Sequence, residues 1–380
     1  MSDTPRESGP APRTREVAER AAAHALQAER DGRLSPQVFE AIRDAGFARH
    51  FVPARWGGAE GGFDAFLTAV AEVGREDPSA AWCAAIASAL GRYAAFLPED
   101  GQRAVWEAGP DALVVGALVP GGEATAASGG WVLRGRWPYV SGIHASDRAL
   151  LAARVPAEGG GEEVRFLLVP RSSYRIEETW RTVGMRGTGS DTLVLEETFV
   201  PREHSFVNDD LLSGREPGTA PGCFTVPLRN VGGLTFAGPV LGAARGALEA
   251  WSRSAKRRRS GSGGALDLVL ARSAAETDAA ELLLSRVARD ADRGGLQDEW
   301  DGARGQRDQA VAVDLLVGAV NRLMRTGGTG ALHRDEDLQR FWRDANAGAA
   351  HAVLQWEPAA RRFAAASLAR SEAASPPARP

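Results

Sequence analysis

Lysine and cysteine are almost absent from this 380-residue chain. Arginine supplies nearly all of its 45 basic residues, because Lys256 is the only lysine. The sequence therefore excludes a phosphate-binding loop, which needs a lysine directly after its glycines. Two cysteines, Cys83 and Cys223, cannot build a disulfide framework or a thiolate metal site. We expect both to be small buried residues in a reducing cytoplasm.

Long hydrophobic runs and a strong excess of one charge are also missing. No uncharged apolar segment is long enough to span a bilayer, and the N-terminus lacks the apolar core of a signal peptide. The formal net charge of -4 argues against a nucleic-acid binder, which would carry a broad basic surface. We therefore expect a cytoplasmic protein with neither a membrane nor a nucleic acid as its partner.

The usual catalytic motifs are absent. The six histidines are scattered, and no pair has the spacing of metal ligands, so we expect no metal site. There is no G-x-S-x-G nucleophile elbow, and no G-x-G-x-x-G follows a predicted strand. Residues 187–190 (GTGS) lie between two predicted strands, which favours a turn over a phosphate cradle.

The chain divides into three parts by the period of its hydrophobic pattern. We predict a helical domain over residues 14–110, a strand-rich domain over 111–215 and a second helical domain over 216–370. The tails, 1–13 and 371–380, are predicted to be disordered. Alternation within the middle part predicts strands over 131–139, 149–155, 164–169, 174–178 and 192–200.

The order of these parts predicts an α+β fold. A small antiparallel barrel or sandwich would pack between the N-terminal helical domain and a C-terminal helical bundle. Neither a small barrel nor a helical hairpin closes a core alone, so the three parts should pack as one unit. The cleft between barrel and helices is then the natural place for a cofactor.

Aromatic side chains on one strand offer walls for a flat ring system. Trp137 and Tyr139 share a predicted strand face with Trp131, and a flavin needs apolar walls with a few hydrogen bonds. The alternative is that these residues form ordinary barrel core, and the sequence alone favours that interpretation.

Asp344 and His351 form the most suggestive polar pair on a predicted helix. They are seven residues apart and hence on one face, but two turns separate them by roughly 10 Å, too far for a direct bond. An exposed polar face would explain the pair equally well. His351 lies among alanines, which implies close packing, and an ionisable ring there is either satisfied within the core or functional.

Motifs in two regions carry a resemblance to a known family. Residues 44–47 (DAGF), followed by 52–53 (VP) and 56–58 (WGG), resemble the N-terminal helix-to-loop signature of the acyl-CoA dehydrogenase superfamily. Residues 184–190 (GMRGTGS), followed by 199–201 (FVP), resemble the segment with which that family leaves its barrel. The resemblance extends from about Val17 to Phe363 and implies the acyl-CoA dehydrogenase fold.

Further motifs resemble one branch of the superfamily, the two-component monooxygenases that depend on reduced flavin. They are 77–82 (DPSAAW), 120–124 (PGGEA), 130–142 (GWVLRGRWPYVSG) and 338–344 (LQRFWRD). Many dehydrogenases of the family place a catalytic glutamate where this chain has 350–353 (AHAV). Without that carboxylate, removal of a proton from a thioester substrate has no evident base.

The resemblance implies a set of site residues. Ser141 would stand at the flavin N5 edge, and His351 would face the substrate as a general base with a pKa near its ordinary value of about 6.5. The flavin would be bound by side chains and backbone on two segments: Trp137, Tyr139, Ser141, Gly142, Arg186, Gly187, Thr188 and Ser190. Trp82 and Arg92, with His351, would bind the substrate.

The implied activity is a flavin-dependent monooxygenation. Reduced FMN or FAD would arrive by diffusion from a separate reductase and react with O2 through a C4a-hydroperoxide. That adduct would hydroxylate an aromatic or N-oxygenate an amino sugar, in secondary metabolism. Relatives of this fold are dimers of dimers, so a homotetramer is expected. Two alternatives are an FAD-dependent dehydrogenase or oxidase of acyl-CoA or acyl-carrier substrates, and a flavin-free or non-catalytic member such as a lyase or a scaffold.

Overall fold

The computed structural model describes residues 13–157, 160–215, 220–258 and 264–374. The disorder predicted for the tails therefore lies mostly outside the described residues. The backbone N–H of Arg13 donates to the carbonyl of Ala45, and the last helix continues to Ala374.

Five helices form the N-terminal part: α1 (Thr14–Asp31), α2 (Pro36–Asp44), α3 (Phe63–Gly74), α4 (Pro78–Ala94) and α5 (Glu99–Trp106). Helix α4 begins at a strong start signal, because the Asp77 carboxylate accepts the N–H of Ala80 and Pro78 is the first helical residue. Only Trp82 and Ile86 of α4 are not fully buried. The helix therefore forms the centre of the molecule and opens to the surface along that one line.

The central part holds eight strands: β1 (Val114–Ala117), β2 (Gly122–Ala127), β3 (Gly130–Val140), β4 (Arg148–Pro156), β5 (Glu162–Pro170), β6 (Tyr174–Glu177), β7 (Asp191–Pro201) and β8 (Ser205–Val207). They form one sheet in the order β6-β7-β3-β2-β4-β5-β8, with β1 beside β4. Its inner face is a separate apolar core that includes Trp131, Leu133 and Trp137.

The predicted central antiparallel barrel or sandwich is present as a β-sheet domain but is corrected in its pairing, because β4 pairs in parallel with both β1 and β2. The chain reverses direction between β2 and β3 and again between β3 and β4. Strand β4 therefore runs in the same direction as β2, and it lies on the side of β2 away from β3. The result is a mixed sheet.

The C-terminal part is helical: α6 (Asn208–Ser213), α7 (Gly222–Thr225), α8 (Leu228–Val231), α9 (Leu234–Arg258), α10 (Ala265–Asp292), α11 (Glu299–Thr326), α12 (Asp337–Ala349) and α13 (Trp356–Ala374). Helix α9 crosses α3 where Gly242 meets Gly74, with no room for a side chain between the two backbones. Across the described ranges, no helix has both the length and the apolar character needed to cross a membrane.

The prediction that Asp344 and His351 share a helix is wrong. Helix α12 ends at Ala349, and His351 precedes a short 3-10 turn over Ala352–Leu354. The two side chains therefore do not share a helix face.

Candidate active site

A chain of hydrogen bonds joins α4 to the end of β3 and to the segment 185–190 that precedes β7. The Trp82 indole N–H donates to Ser141 Oγ at 3.0 Å, and Ser141 Oγ lies 2.7 Å from Ser190 Oγ. Ser190 Oγ lies 2.7 Å from Thr188 Oγ1, which donates to the Met185 carbonyl at 2.8 Å. The sequence-predicted residues Trp82, Ser141, Thr188 and Ser190 thus meet in one network.

A bulge at the end of β3 brings Ser141 to this network. The pairing of β3 with β7 shifts between Trp137 and Val140, which places two residues opposite one. Tyr139 lies in the bulge and has a left-handed backbone (φ 65°). This conformation is uncommon for a bulky side chain. Gly142 is left-handed as well (φ 72°), and this conformation suits a glycine.

The bulge also separates the two aromatic residues that the strand pattern placed together. Trp137 is 0% exposed, and its indole N–H donates to the Ala152 carbonyl inside the barrel. The prediction that Trp137 binds the flavin is therefore corrected, because its ring has no accessible face. Tyr139 is 73% exposed, and its ring meets the edge of Trp180 at a centroid distance of 6.2 Å.

The turn over Arg186–Thr188 closes the site against α1 and α4. Arg186 Nε donates to the Glu29 carbonyl and its Nη1 to the Thr182 carbonyl, so this guanidinium fastens the turn to α1. The backbone N–H of Gly142 donates to the Thr188 carbonyl. A Cβ on Gly187 would lie only 3.0 Å from the Ser79 side chain of α4. The Gly-Thr-Gly-Ser segment is therefore a turn, as predicted.

Asp344 anchors this turn from α12. Its Oδ1 accepts the N–H of Met185 at 2.6 Å, and Met185 has a left-handed backbone (φ 54°). Asp344 is almost fully buried, and burial raises the pKa of its carboxyl to about 7. Arg340 lies nearby and also approaches the buried Asp77 carboxylate at 3.6 Å. Helix α12 therefore holds the backbone turn that positions the Thr188 and Ser190 side chains.

Asp344→Asn should flatten the pH dependence of stability. With a raised pKa, the folded protein retains a proton that the unfolded chain loses from about pH 4, so stability falls as the pH rises to about 7. Asparagine still offers an acceptor to Met185 without an ionisation cost. The variant should gain on the order of 2–3 kcal/mol relative to the wild type between pH 5 and pH 8.

Urea unfolding followed by tryptophan fluorescence at pH 5, 6, 7 and 8 checks this expectation. Asp335→Asn is the control, because Asp335 is exposed and should leave the curve unchanged. Parallel curves for Asp344→Asn and wild type would contradict the prediction.

His351 completes the site as part of an aromatic cluster. Its imidazole stacks on Phe236 of α9, with ring centroids 3.6 Å apart and planes inclined by 17°. Trp82 contacts both rings, Phe236 at 5.0 Å and His351 at 6.0 Å between centroids. The Trp82 indole therefore connects the Ser141 hydroxyl to the imidazole.

The protonation state of His351 differs from the sequence-based expectation. Burial lowers the pKa of His351 to about 4, so the ring is neutral at pH 7. Its Nδ1 accepts the N–H of Val353 at 3.3 Å, which leaves the single ring proton on Nε2. In this tautomer the ring donates a hydrogen bond from Nε2, and the predicted titration near pH 6.5 is wrong.

Arg92 does not belong to this site, which corrects its predicted role in substrate binding. It is 2% exposed, its Nε donates to the Cys223 carbonyl at 2.6 Å and its Nη2 donates to the Val226 carbonyl. The guanidinium also lies over the ring of Phe63. Arg92 thus ties α4 to the segment around α7.

Three contributors were not predicted from sequence: Phe236, Trp180 and the anchoring role of Asp344. The Trp180 indole N–H donates to the Met185 carbonyl at 2.9 Å, so it supports the same turn. The sequence could have indicated Phe236, because it is an aromatic residue at the start of a helical pattern. Within the described ranges, no group of three or more histidine, cysteine, aspartate or glutamate side chains could hold a metal ion.

Comparison with known proteins identifies the family. Residues 12–106 match the acyl-CoA dehydrogenase N-terminal domain, and residues 234–356 match the acyl-CoA dehydrogenase C-terminal domain. The oxygenase component of an FADH2-dependent resorcinol hydroxylase from Rhizobium sp. (strain MTP-10005) is 35% identical over 88% of this chain and 87% of that protein. The chain belongs to the acyl-CoA dehydrogenase superfamily, in its flavin-dependent monooxygenase branch.

Solved structures of this monooxygenase branch share the fold over nearly the whole chain. The 3-HSA hydroxylase from Rhodococcus sp. RHA1 has a TM-score of 0.87 and 28% identity, over 93% of this chain and 95% of its own. XiaF from Streptomyces sp., solved with FADH2 and glycerol, has a TM-score of 0.86 and 27% identity, over 96% of each chain. The predicted superfamily, branch and enzyme class are confirmed.

Proposed function

We propose that this monooxygenase is the oxygenase component of a two-component system and hydroxylates a phenolic aromatic compound. The observation that carries the proposal is the Trp82 indole, which bonds the Ser141 hydroxyl on one side and packs against the His351–Phe236 stack on the other. A flavin-facing hydroxyl and a substrate-facing imidazole are thereby held at one cleft. One oxygen atom of O2 enters the product, and the other leaves as water.

The residues at the cleft fit a reduced flavin. Ser141 offers a hydroxyl at the end of β3, Tyr139 presents an exposed ring beside it, and Gly142, Gly187, Thr188 and Ser190 shape the adjoining turns. When bound, reduced flavin supplies the two electrons that activate O2. The relatives support this cofactor, since one is named for FADH2 and another was solved with it. Either FMN or FAD is compatible with these contacts.

The aromatic cluster favours an aromatic substrate over an amino sugar. The substrate ring would pack against Trp82 and Phe236, where edge and stacked contacts stabilise flat apolar groups. His351 would donate from Nε2 to the substrate hydroxyl and stabilise its ionised form, which is the more electron-rich ring. Asp344, the acidic residue of α12 that precedes His351, is buried and bonded to Met185, so it does not provide the base that a dehydrogenase needs.

We propose a separate flavin reductase as the partner and a homotetramer as the assembly, in the cytoplasm. Helix α10 supports the assembly, because Leu268 and Leu282 are 76% and 71% exposed and lie four turns apart on one face. Two free, buried cysteines agree with a reducing compartment. Light scattering at micromolar concentration should give about four times the 40.2 kDa chain mass, and a monomer would contradict the assembly.

Product analysis with ¹⁸O2 tests the function. The protein, a flavin reductase, FMN or FAD, NADH and a panel of phenols, indoles and amino sugars should yield a phenol product that carries one ¹⁸O atom. The control omits the reductase and should give no product. Reduction of a dye by an acyl-CoA without O2, together with unlabelled phenols, would overturn the proposal in favour of a dehydrogenase.

A further inference from the structure

The hydrogen-bond chain that contains Ser141 has a fixed direction. A carbonyl oxygen only accepts, so the 2.8 Å contact between Thr188 Oγ1 and the Met185 carbonyl uses the single hydroxyl proton of Thr188. An indole N–H only donates, so Trp82 must donate to Ser141. Both ends of the chain are therefore determined by chemistry.

The two serines between these ends must follow the same direction. Thr188 has given its proton to Met185, so it accepts from Ser190 across 2.7 Å. Ser190 has then given its own proton, and it accepts from Ser141 across 2.7 Å. Ser141 thus donates to Ser190, accepts from Trp82 and retains one unused lone pair. Toward the cleft, Ser141 is an acceptor and not a donor.

We propose that Ser190 and Thr188 are positioning residues that make the site select reduced over oxidised flavin. The N5 atom of a reduced flavin carries a proton and donates, whereas N5 of an oxidised flavin carries a lone pair and accepts. An acceptor-only Ser141 bonds the first and opposes the second. This inference rests on the proposed placement of the flavin N5 edge at Ser141.

Burial keeps the donor-to-acceptor direction of this hydrogen-bond chain from changing. Thr188 is 1% exposed and Ser190 is 4% exposed, so water does not compete for their protons. The Thr188 hydroxyl lies on the turn held by Asp344 and Trp180 through Met185. Two side chains, Asp344 on α12 and Trp180, therefore fix the acceptor at the end of the hydrogen-bond chain.

The test measures the dissociation constants of oxidised and reduced FMN and FAD, the reduced forms by anaerobic titration. Ser190→Ala removes the acceptor for the Ser141 proton, which becomes available to oxidised N5. The preference for reduced flavin should fall by about three- to tenfold, the value of one hydrogen bond, mainly through tighter binding of oxidised flavin. Thr188→Val should act in the same direction, and Thr188→Ser should retain the preference.

Two controls separate the possible failures. Ser146→Ala removes a buried barrel hydroxyl bonded to Tyr174 and should leave the ratio unchanged. Ser141→Ala should weaken the binding of reduced flavin and should not weaken the binding of oxidised flavin. If Ser141→Ala changes the ratio but Ser190→Ala and Thr188→Val do not, Ser190 and Thr188 do not set the direction of the Ser141 hydroxyl, and the proposed function stands. Equal weakening of both redox forms by Ser190→Ala leads to the same conclusion. If Ser141→Ala leaves both dissociation constants unchanged, the flavin placement itself fails.

Discussion

His351→Ala is expected to slow hydroxylation by about 10²–10⁴-fold, the range for loss of a group that assists proton movement at the reacting oxygen. Oxidation of reduced flavin by O2 should continue, because that reaction does not need the substrate. The missing product should therefore appear as released H2O2. Stopped-flow absorbance for the flavin and chromatography for the product measure the two rates separately.

His351→Gln distinguishes two roles for the ring. Glutamine retains an N–H donor but cannot take up a proton at neutral pH. If His351 acts as the Nε2 donor that the Val353 contact indicates, His351→Gln should keep activity within about tenfold of the wild type. A glutamine variant as slow as the alanine variant would instead support a general base. Wild-type hydroxylation by His351→Ala would remove His351 from the site.

His351 should not contribute a limb near pH 6.5 to the activity profile. Burial lowers its pKa to about 4, so the ring stays neutral from about pH 5 upward. A limb at higher pH is expected from ionisation of the phenol itself, and it should move with the pKa of the substrate used.

Gly242→Ala is expected to destabilise the protein by about 1–3 kcal/mol or more, through overpacking. A methyl group on Gly242 would lie 2.5 Å from Gly74 Cα and 2.6 Å from the Ala71 carbonyl. Both neighbours are backbone atoms of α3, so α3 and α9 must separate to admit it. Thermal and urea unfolding of the purified variant measure the loss.

Gly318→Ala is the matched control and should have the opposite sign. Gly318 lies inside α11, and a methyl group there would meet nothing closer than Glu276 Oε2 at 4.0 Å. Alanine is the better helix former by up to about 1 kcal/mol. Two identical substitutions should therefore shift the melting temperature in opposite directions. A shift of the same sign in both variants would show that packing at Gly242 does not control stability.

The strands were predictable wherever side chains alternate. The segments 149–155, 164–169 and 192–200 lie within β4, β5 and β7 and fall short of the strand ends by one or two residues. Strands β1, β2 and β8 were not predicted, because they are short or rich in glycine and alanine. Their pairing with β4, β3 and β5 comes from neighbours distant in sequence.

The site was predictable as a set of segments but not in its geometry. The bulge at Tyr139 turns this ring outward while Trp137 stays inside the barrel, and the only local hint was Pro138, which cannot donate to the ladder. Alanines around His351 favour a continued helix, yet α12 ends at Ala349 and the imidazole stacks on Phe236. Tertiary contacts decided both outcomes against the local preference.

The two sides of the site come from parts of the chain that are far apart in sequence. Ser141 reaches Trp82 across 59 residues, and Asp344 reaches Met185 across 159. Closing such long loops is slow compared with forming helices. During refolding from urea, far-ultraviolet circular dichroism should therefore recover before flavin affinity does. Flavin binding would then serve as a specific reporter that the three parts of the chain have docked.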